Sequence, residues 1–379
     1  MTTPSTCTPA ELLANLPGIL GFYPRESVVF AAFEATATPH RFLLGPVLRI
    51  DVDDMSLLPE VAGSLGHIGH DLLLAFLITD GPKTATESVV DQLFSAAEEG
   101  IIDIDACWLT REILTGEPFR LAFGPAPAEL THLKATSGAW EHGHIASITD
   151  SAAIKPLLRT GNLPELHRSE AFDHYNRFNP HFDNREITAL EDFAARHAAD
   201  LVRRINREAA QGSGETMSTV ITDFHHLLSE IRDTAGTVAE VMNDEGVLVT
   251  TAVYLSDSLL RDAVMGAAPD HHQAAMDLSL AVARTFSGTI RANALCVHAI
   301  AAVAADLSMR VIPALSAARR AVPAHTLSSL LLDGARHGVF QPMLEATVRG
   351  SEIVAEKYHA LAPGSVLGGP GGLPAAEAA

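Results

Sequence analysis

The spacing of the hydrophobic residues changes once along this chain, and that change limits the folds it can adopt. Before Pro125 the apolar residues form short continuous runs, such as residues 27–33 and 71–79, which have the length of buried strands. After Glu186 they recur every three or four residues, which is the period of a helix with one buried face. The sequence therefore predicts an α/β N-terminal half followed by an all-α C-terminal half.

Strands and helices alternate in the predicted N-terminal half. Thr8 with Glu11 and Thr84 with Glu87 have the spacing of capping boxes, which mark the first turn of a helix. The segments with strand-like patterns are residues 27–33, 43–52, 71–79, 102–110 and 119–123. This alternation predicts a mixed sheet flanked by helices.

The chain divides into four predicted regions. Residues 1–124 form the α/β domain, and residues 186–361 form a helical domain of stacked hairpins, because helical stripes of similar length follow one another with short joins. Residues 125–185 hold five prolines among short apolar pieces, and we expect a connector with short helices there. Residues 362–379 are mostly Gly, Pro and Ala, which predicts a disordered tail.

The charge and the apolar content exclude several classes of protein. The net charge of −20 repels DNA, RNA and anionic lipid, so we expect neither a nucleic acid nor a membrane as partner. No apolar run approaches the roughly 20 residues that span a bilayer. The N-terminus lacks the pattern of a signal peptide. Cys7, Cys107 and Cys296 are far apart, and reduced thiols in a cytoplasmic protein are the simplest interpretation.

One N-terminal segment is specific enough to suggest a family. Residues 12–29 run Leu-Leu-Ala-Asn-Leu-Pro-Gly-Ile-Leu-Gly-Phe-Tyr-Pro-Arg-Glu-Ser-Val-Val. This pattern resembles the opening of DUF4192, an actinobacterial family of unknown function. Further similarities, which extend the resemblance from about residue 10 to about residue 342, are Arg49, Asp51, Gly161, Pro164, Arg168, Arg261, Asp262, Pro323, Leu327, Leu330, Leu331, Gly338 and Pro342.

The resemblance implies a fold division and a cellular setting, and it implies no known activity. Many members of the family carry a cysteine-containing segment before the middle region. This chain has none there, so the resemblance gives no ground for a metal or redox role of that segment.

Arg25 and Ser27 lie in the most patterned stretch of the chain. Gly21 allows a positive φ and Pro24 restricts the backbone, so a rigid turn is expected to place Ser27 at the head of a strand. Arg25 and the Ser27 hydroxyl are then candidates for contact with an anion. The alternative, which we favour, is a structural turn whose serine bonds a backbone group.

Three further polar residues lie on or after predicted strands. Arg49 and Asp51 are two apart, so they share one face of a strand, opposite to Leu48 and Ile50. They form either the polar floor of a site or a solvent-facing ion pair. Asp80 follows the strand 71–79 and lies where α/β sheets bind ligands if that strand has a parallel neighbour. Asp-Gly-Pro is also ordinary turn chemistry.

No metal or cofactor is expected. His67 and His70 are three apart on a predicted helix, and His142 and His144 flank a glycine, but zinc sites use three or four protein ligands. No Walker loop, GxGxxG motif or Gly-x-Ser-x-Gly motif is present. Asp257 and Arg261 have the spacing of a surface helix pair, although Arg261 and Asp262 could instead hold two helices together.

Two functions remain open at this point. The first is a non-enzymatic interaction or regulatory protein of the cytoplasm with an unknown protein partner, because stacked hairpins present an extended surface. The second is an enzyme or small-molecule-binding protein that uses Arg25, Ser27, Arg49, Asp51 and Asp80 at the edge of the N-terminal sheet. The sequence favours the first and does not decide whether the protein is an enzyme.

Overall fold

A computed structural model of the chain describes residues 8–38, 41–125 and 137–359. The tail predicted at residues 362–379 lies outside the described residues. Within them, the predicted fold class is confirmed: a mixed sheet with flanking helices is followed by a region made of helices.

The N-terminal half is built on one six-stranded sheet in the order β2-β1-β3-β4-β5-β6. Neighbouring strands are antiparallel except β3 and β4, which are parallel. The short β6 comes from the predicted connector and was not expected from the sequence. The strands are β1 (Ser27–Ala35), β2 (Phe42–Asp51), β3 (Leu72–Ile78), β4 (Ala106–Thr110), β5 (Pro118–Phe123) and β6 (His142–His144).

The helices divide into those around the sheet and those of the C-terminal half. The first group is α1 (Pro9–Leu20), α2 (Leu58–Ile68), α3 (Lys83–Glu98), α4 (Ser137–Glu141), α5 (Lys155–Arg159) and α6 (Arg168–Asp173). The second group is α7 (Asn184–Ala210), α8 (Glu215–Asp233), α9 (Val238–Asn243), α10 (Glu245–Ser256), α11 (Ser258–Met265), α12 (His272–Thr285), α13 (Gly288–Ala304), α14 (Val311–Ala321), α15 (Thr326–Arg336) and α16 (Phe340–His359). Helices α12 to α15 pack against one another in chain order, and α13 lies at the centre, buried on all sides from Ile290 to Ala302.

Both faces of the sheet are buried, which explains the uninterrupted apolar runs of β1 and β3. On one face, Val28, Phe30 and Leu77 pack with residues of α2 and α3. On the other face, Val29 and Phe76 belong to a core that continues through α1 and the connector into the helical half. The two halves therefore share one hydrophobic core.

Trp108 fills the centre of that shared core. Its ring stacks on Phe76 at 5.5 Å and meets the edge of Trp140 at 4.7 Å between ring centroids. Its indole N–H donates to the Trp140 carbonyl oxygen at 2.8 Å, so the polar atom of a fully buried tryptophan is satisfied.

Helix α1 connects the sheet to the rest of the molecule. Its predicted capping box, Thr8 with Glu11, is confirmed. The dipeptide Pro17-Gly18 predicts the end of this helix from sequence alone, and that prediction is wrong, because the helix continues to Leu20 and ends at Gly21, whose φ is +79°. A Cβ on Gly18 would lie 2.5 Å from the Ala153 backbone, so only glycine permits this close contact between α1 and the connector.

Two other local predictions are wrong. Helix α3 begins at Lys83 after Pro82, so Thr84 lies inside the helix and does not cap it. Asp257 caps α11 by accepting from the Leu259 N–H at 2.8 Å and does not pair with Arg261. Arg261 is buried and binds both Asp262 and, at 2.8 Å, the Asn293 Oδ1 of α13. The alternative, in which Arg261 and Asp262 hold helices together, is confirmed.

Arginines attach the connector to the helical half through backbone carbonyls. Arg284 donates to the His174 carbonyl oxygen at 2.7 and 3.1 Å, and Arg177 donates to that of Thr285 at 3.4 Å. Arg291 donates to the carbonyl oxygens of Ala283 and Tyr175. The last carbonyls of α12 have no partner within the helix. Arg177 and Arg291 satisfy those of Thr285 and Ala283 and carry the charge that a helix C-terminus favours.

We predict that Arg291→Met lowers the free energy of unfolding by about 3 kcal/mol, because two buried carbonyls lose a charged donor. Urea denaturation followed by circular dichroism measures the change. Arg336→Met, at an exposed residue of α15, is the matched control and should change stability by less than about 0.5 kcal/mol. Equal effects of the two substitutions would contradict the role of Arg291.

Candidate functional site

The strand pairing places the predicted site residues at one end of the sheet. Ser27, at the start of β1, lies opposite Asp51 at the end of β2 and Ile78 at the end of β3. The loop after β3, which holds Asp80, leaves the sheet at the same end. Because β3 and β4 are parallel, this end is the carboxyl edge that the sequence analysis anticipated.

Ser27, Arg49 and Asp51 form one hydrogen-bonded group. The buried Ser27 hydroxyl donates to the Arg25 carbonyl oxygen at 2.5 Å and accepts from Arg49 Nε at 2.8 Å. The Arg49 guanidinium also binds Asp51 and donates to the Arg25 carbonyl oxygen at 3.3 Å. The side chain of Arg49 is only 10% exposed, whereas that of Asp51 is 46% exposed, so the pair reaches solvent through its carboxylate.

Arg25 takes part in this group through its backbone. The carbonyl oxygen of Arg25 accepts hydrogen bonds from Ser27 and Arg49, and Arg25 itself is exposed to solvent. In the turn before Ser27, the side chains of Ser27 and Arg49 therefore bond to a backbone carbonyl. This agrees with the alternative of a structural turn whose serine bonds a backbone group. The Arg25 side chain takes no part in these hydrogen bonds, and its candidate contact with an anion stays a prediction.

Glu26 joins Asp80 to the rest of the site, and sequence reasoning missed it. Its carboxylate accepts from the Thr79 hydroxyl at 2.6 Å and from the Asp80 N–H at 2.9 Å. Its backbone has a φ of +41°, which is unfavourable for any residue with a side chain. Glu26 lies between Arg25 and Ser27, which were both predicted as site residues. Neither its positive φ nor its contact with Thr79, 53 residues away, produces a pattern in the local sequence.

Asp80 is exposed and lies near a second arginine. The Arg111 guanidinium donates to Glu117 at 3.1 Å, and the pKa of Arg111 is raised by this hydrogen bond first, then by the charges of Glu117, Glu112 and Asp80. The carboxyl edge therefore carries Arg49 and Arg111, each already paired with carboxylates. An anionic ligand that binds Arg49 or Arg111 would have to displace Asp51 or Glu117 from its arginine.

The structure thus brings only some of the five predicted residues into contact. Ser27, Arg49 and Asp51 are in contact, Asp80 is linked to them through Glu26, and the Arg25 side chain has no hydrogen bond that the structure describes. Their assignment to a ligand site stays a prediction. Across the described residues, no group of three or more His, Cys, Asp or Glu side chains is placed to hold a metal ion.

A second polar cluster lies between the connector and the helical half, and no sequence pattern indicated it. The Tyr175 hydroxyl lies 3.2 Å from both His298 Nε2 and the Arg310 carbonyl oxygen, and its single proton is donated to one of these two acceptors. His298 Nδ1 lies 3.1 Å from the Met276 carbonyl oxygen, which can only accept, so this nitrogen carries the proton. Tyr175 and His298 are 123 positions apart, and only the fold brings them together.

Burial shifts the ionisation of this cluster. It lowers the pKa of His298 to about 4, with Arg310 and Arg284 adding to the shift and the bond to Met276 opposing it. Burial also lowers the pKa of His174 to about 3 and raises that of Tyr175 to about 12. All three groups are therefore neutral at pH 7. A buried neutral histidine beside arginines stabilises the junction only while it stays uncharged.

Comparison with known proteins assigns the whole arrangement to a family. The model of a domain of unknown function, DUF4192, matches residues 9–341. The chain belongs to the DUF4192 family. No curated protein and no solved structure matches it. The match to DUF4192 includes the sheet, the connector and the helices as far as α15, so the family spans both halves of the shared core.

The DUF4192 helices give no sign of a membrane segment within the part of the chain that the structure describes. None of them combines the length and the apolar character required to cross a bilayer.

In this DUF4192 protein we expect Glu26→Ala to destabilise the fold by about 2 kcal/mol, since the buried Thr79 hydroxyl and the Asp80 N–H lose their acceptor. Glu26→Gly removes the same contacts but relieves the positive φ. It should therefore be about 1 kcal/mol less destabilising than Glu26→Ala. Urea denaturation of the two variants separates the contacts from the strain, and an alanine variant at least as stable as the glycine variant would refute this account of the turn.

The pKa of His298 predicts loss of stability in acid. The unfolded chain takes up a proton near pH 6.5 but the folded chain only near pH 4, so the contribution of His298 is complete above pH 6.5 and is lost as the pH falls towards 4. The difference corresponds to about 3 kcal/mol. Denaturation measured at several pH values should show a shallower decline for His298→Asn than for wild type. His181→Asn, at an exposed histidine, should leave the decline unchanged.

Proposed function

We propose that this protein is a non-enzymatic interaction or regulatory protein of the cytoplasm, and that it binds a protein partner at the outer edge of β2. The observation that carries the proposal is a run of three exposed apolar residues on that strand. Phe42, Leu43 and Leu44 are 37%, 48% and 42% exposed. Consecutive exposed apolar residues of this size are typical of surfaces that another protein covers.

The position of β2 strengthens the proposal. It is the first strand in the order of the sheet and pairs with β1 along one side only, in the part of the chain that the structure describes. The backbone N–H and C=O groups of an edge strand can pair with an added strand. The apolar side chains of residues 42–44 would then contact the partner on both faces of the sheet.

The cytoplasmic setting is supported by the cysteines and the charge. Cys107 and Cys296 are free and fully buried, and burial raises the pKa of each thiol to about 12. Buried thiols of this kind are inert and need no oxidising compartment. The net charge of −20 favours proteins over nucleic acids as partners.

The second candidate, a small-molecule-binding protein or enzyme, is favoured by the convergence of Ser27, Arg49 and Asp51. These groups lie at the carboxyl edge of the sheet, where α/β folds place ligands. A thermal-shift screen with phosphorylated and carboxylated metabolites tests this candidate. A stabilisation that Arg49→Met removes would support it against the interaction proposal.

For the interaction proposal we predict that Leu43→Lys abolishes partner binding without unfolding the protein, because a charge at an exposed edge residue prevents strand addition. Proteins that co-purify with the tagged wild-type chain from its native host are compared with those that co-purify with the variant. A genuine partner should be reduced at least about tenfold, or about 1.4 kcal/mol of binding free energy.

Leu330→Lys is the matched control, since Leu330 is a 65% exposed leucine of the helical half. It should retain the partner. The proposal is wrong if Leu43→Lys and wild type recover the same proteins in the same amounts.

A further inference from the structure

The outer face of the α/β half carries a groove between α3 and the segment that leads into α2. Its volume is about 470 Å³, and it is open along its length rather than enclosed. Met55, Leu58, Pro59 and Ile101 supply an apolar floor. The wall contributed by α3 runs from residue 88 to residue 99, which at 1.5 Å per residue is about 16 Å, or three turns of a helix.

Carboxylates surround this apolar floor. Asp91 and Glu99 line the groove, and both are exposed. Asp53, Asp54 and Glu60 are exposed neighbours of the lining residues Met55 and Pro59. Among the described residues, none of these five carboxylates forms an ion pair, so no cation in that part of the chain neutralises them by direct contact.

The surrounding layer is the most acidic part of the protein. Residues 52–105, which include α2 and α3, contain eleven Asp and Glu residues, one lysine and no arginine. Their net charge of −10 is half of the total of −20 in about a seventh of the chain. The single lysine, Lys83, forms an ion pair with Glu87, with 3.7 Å between Nζ and Oε1. A surface with this field attracts cationic partners and repels acidic ones.

We propose that this groove binds a basic amphipathic helix of a protein partner. The apolar face of such a helix would cover Met55, Leu58 and Ile101, and its lysines and arginines would meet Asp91, Glu99 and the neighbouring acids. The open shape favours a helix over a small molecule, because small ligands need sites that enclose most of their surface.

A segment of the same chain does not fit as the occupant. Residues 1–7, 39–40, 126–136 and 360–379, which lie outside the described residues, contain one lysine and no arginine. None of these segments has the basic face that the groove requires. The proposed occupant is a helix of a different protein, and the groove is a second surface, separate from the edge of β2 that carries the proposed function.

The test uses the full chain and a defined probe. The probe is a fluorescent 18-residue peptide of leucine and lysine with helical amphipathic spacing, and its counterpart has glutamate in place of lysine. Binding is measured by anisotropy at low and physiological salt. We expect the lysine peptide to bind at least about tenfold more tightly than the glutamate peptide, and its affinity to fall with salt.

Two substitutions separate the groove from the general charge of the layer. Ser95→Arg places a bulky cation in the groove on an exposed residue of α3, and arginine is a good helix former. Ser64→Arg makes the same charge change on an exposed residue of α2 that does not line the groove. We expect Ser95→Arg to weaken the lysine peptide at least about tenfold and Ser64→Arg to change its affinity less than about twofold.

Each other outcome overturns the proposal. Equal weakening by both substitutions would mean attraction to the acidic layer as a whole, and equal affinity for both peptides would mean unspecific apolar contact. No binding of the lysine peptide to wild type would exclude the proposed occupant. A dimer in sedimentation that Ser95→Arg dissociates would assign the groove to a second copy. Leu43→Lys should not affect the peptide, so the groove and the β2 edge can fail independently.

Discussion

The structure depends on the burial of both faces of a sheet that is apolar on both sides. One face is covered by α2 and α3, and the other is covered by α1 and the connector, through which the core continues into the helical half. Fully burying a side chain such as Phe76 or Leu77 contributes about 1.5–3 kcal/mol, so leaving either face open would cost more than the stability of an ordinary domain. The helical half therefore belongs to the same core that buries the second face of the sheet, which agrees with a family model that matches both halves together.

Because the two halves share one core, some polar side chains are buried away from water. They find their hydrogen-bond partners differently at the carboxyl edge of the sheet and at the contact between the connector and α12. At the carboxyl edge, Arg49 and Ser27 bind each other and the backbone, with Asp51 leading to solvent. Between the connector and α12, Arg284 and Arg291 donate to carbonyl oxygens. In both places a buried cation is fully engaged, as the free energy of desolvation demands.

The sequence predicted what local patterns determine. The two hydrophobic periods predicted the two halves, the spacing of Thr8 and Glu11 predicted the start of α1, and alternation placed Arg49 and Asp51 opposite Ile50. It did not predict what distant residues create. Glu26 reaches Thr79, and Tyr175 meets His298, across separations that have no periodicity. The capping box at Thr84 and the pair of Asp257 with Arg261 failed because suitable spacing does not decide which partner wins in three dimensions. For the candidate site, the sequence could place the residues near the carboxyl edge of the sheet. It could not show that their polar groups bind mainly one another.

The register of β2 changes between Leu44 and Val47, where Gly45 and Pro46 lie opposite Ala32 of β1. An open strand with apolar residues is a hazard, because identical edges can stack into fibres without limit. Proline has no N–H to offer, and an irregular register cannot be continued by a flat neighbour. An incoming strand would therefore be confined to the three residues before this interruption. Extension of the sheet would end after one short added strand. The protein can therefore expose an apolar edge on β2 without forming fibres.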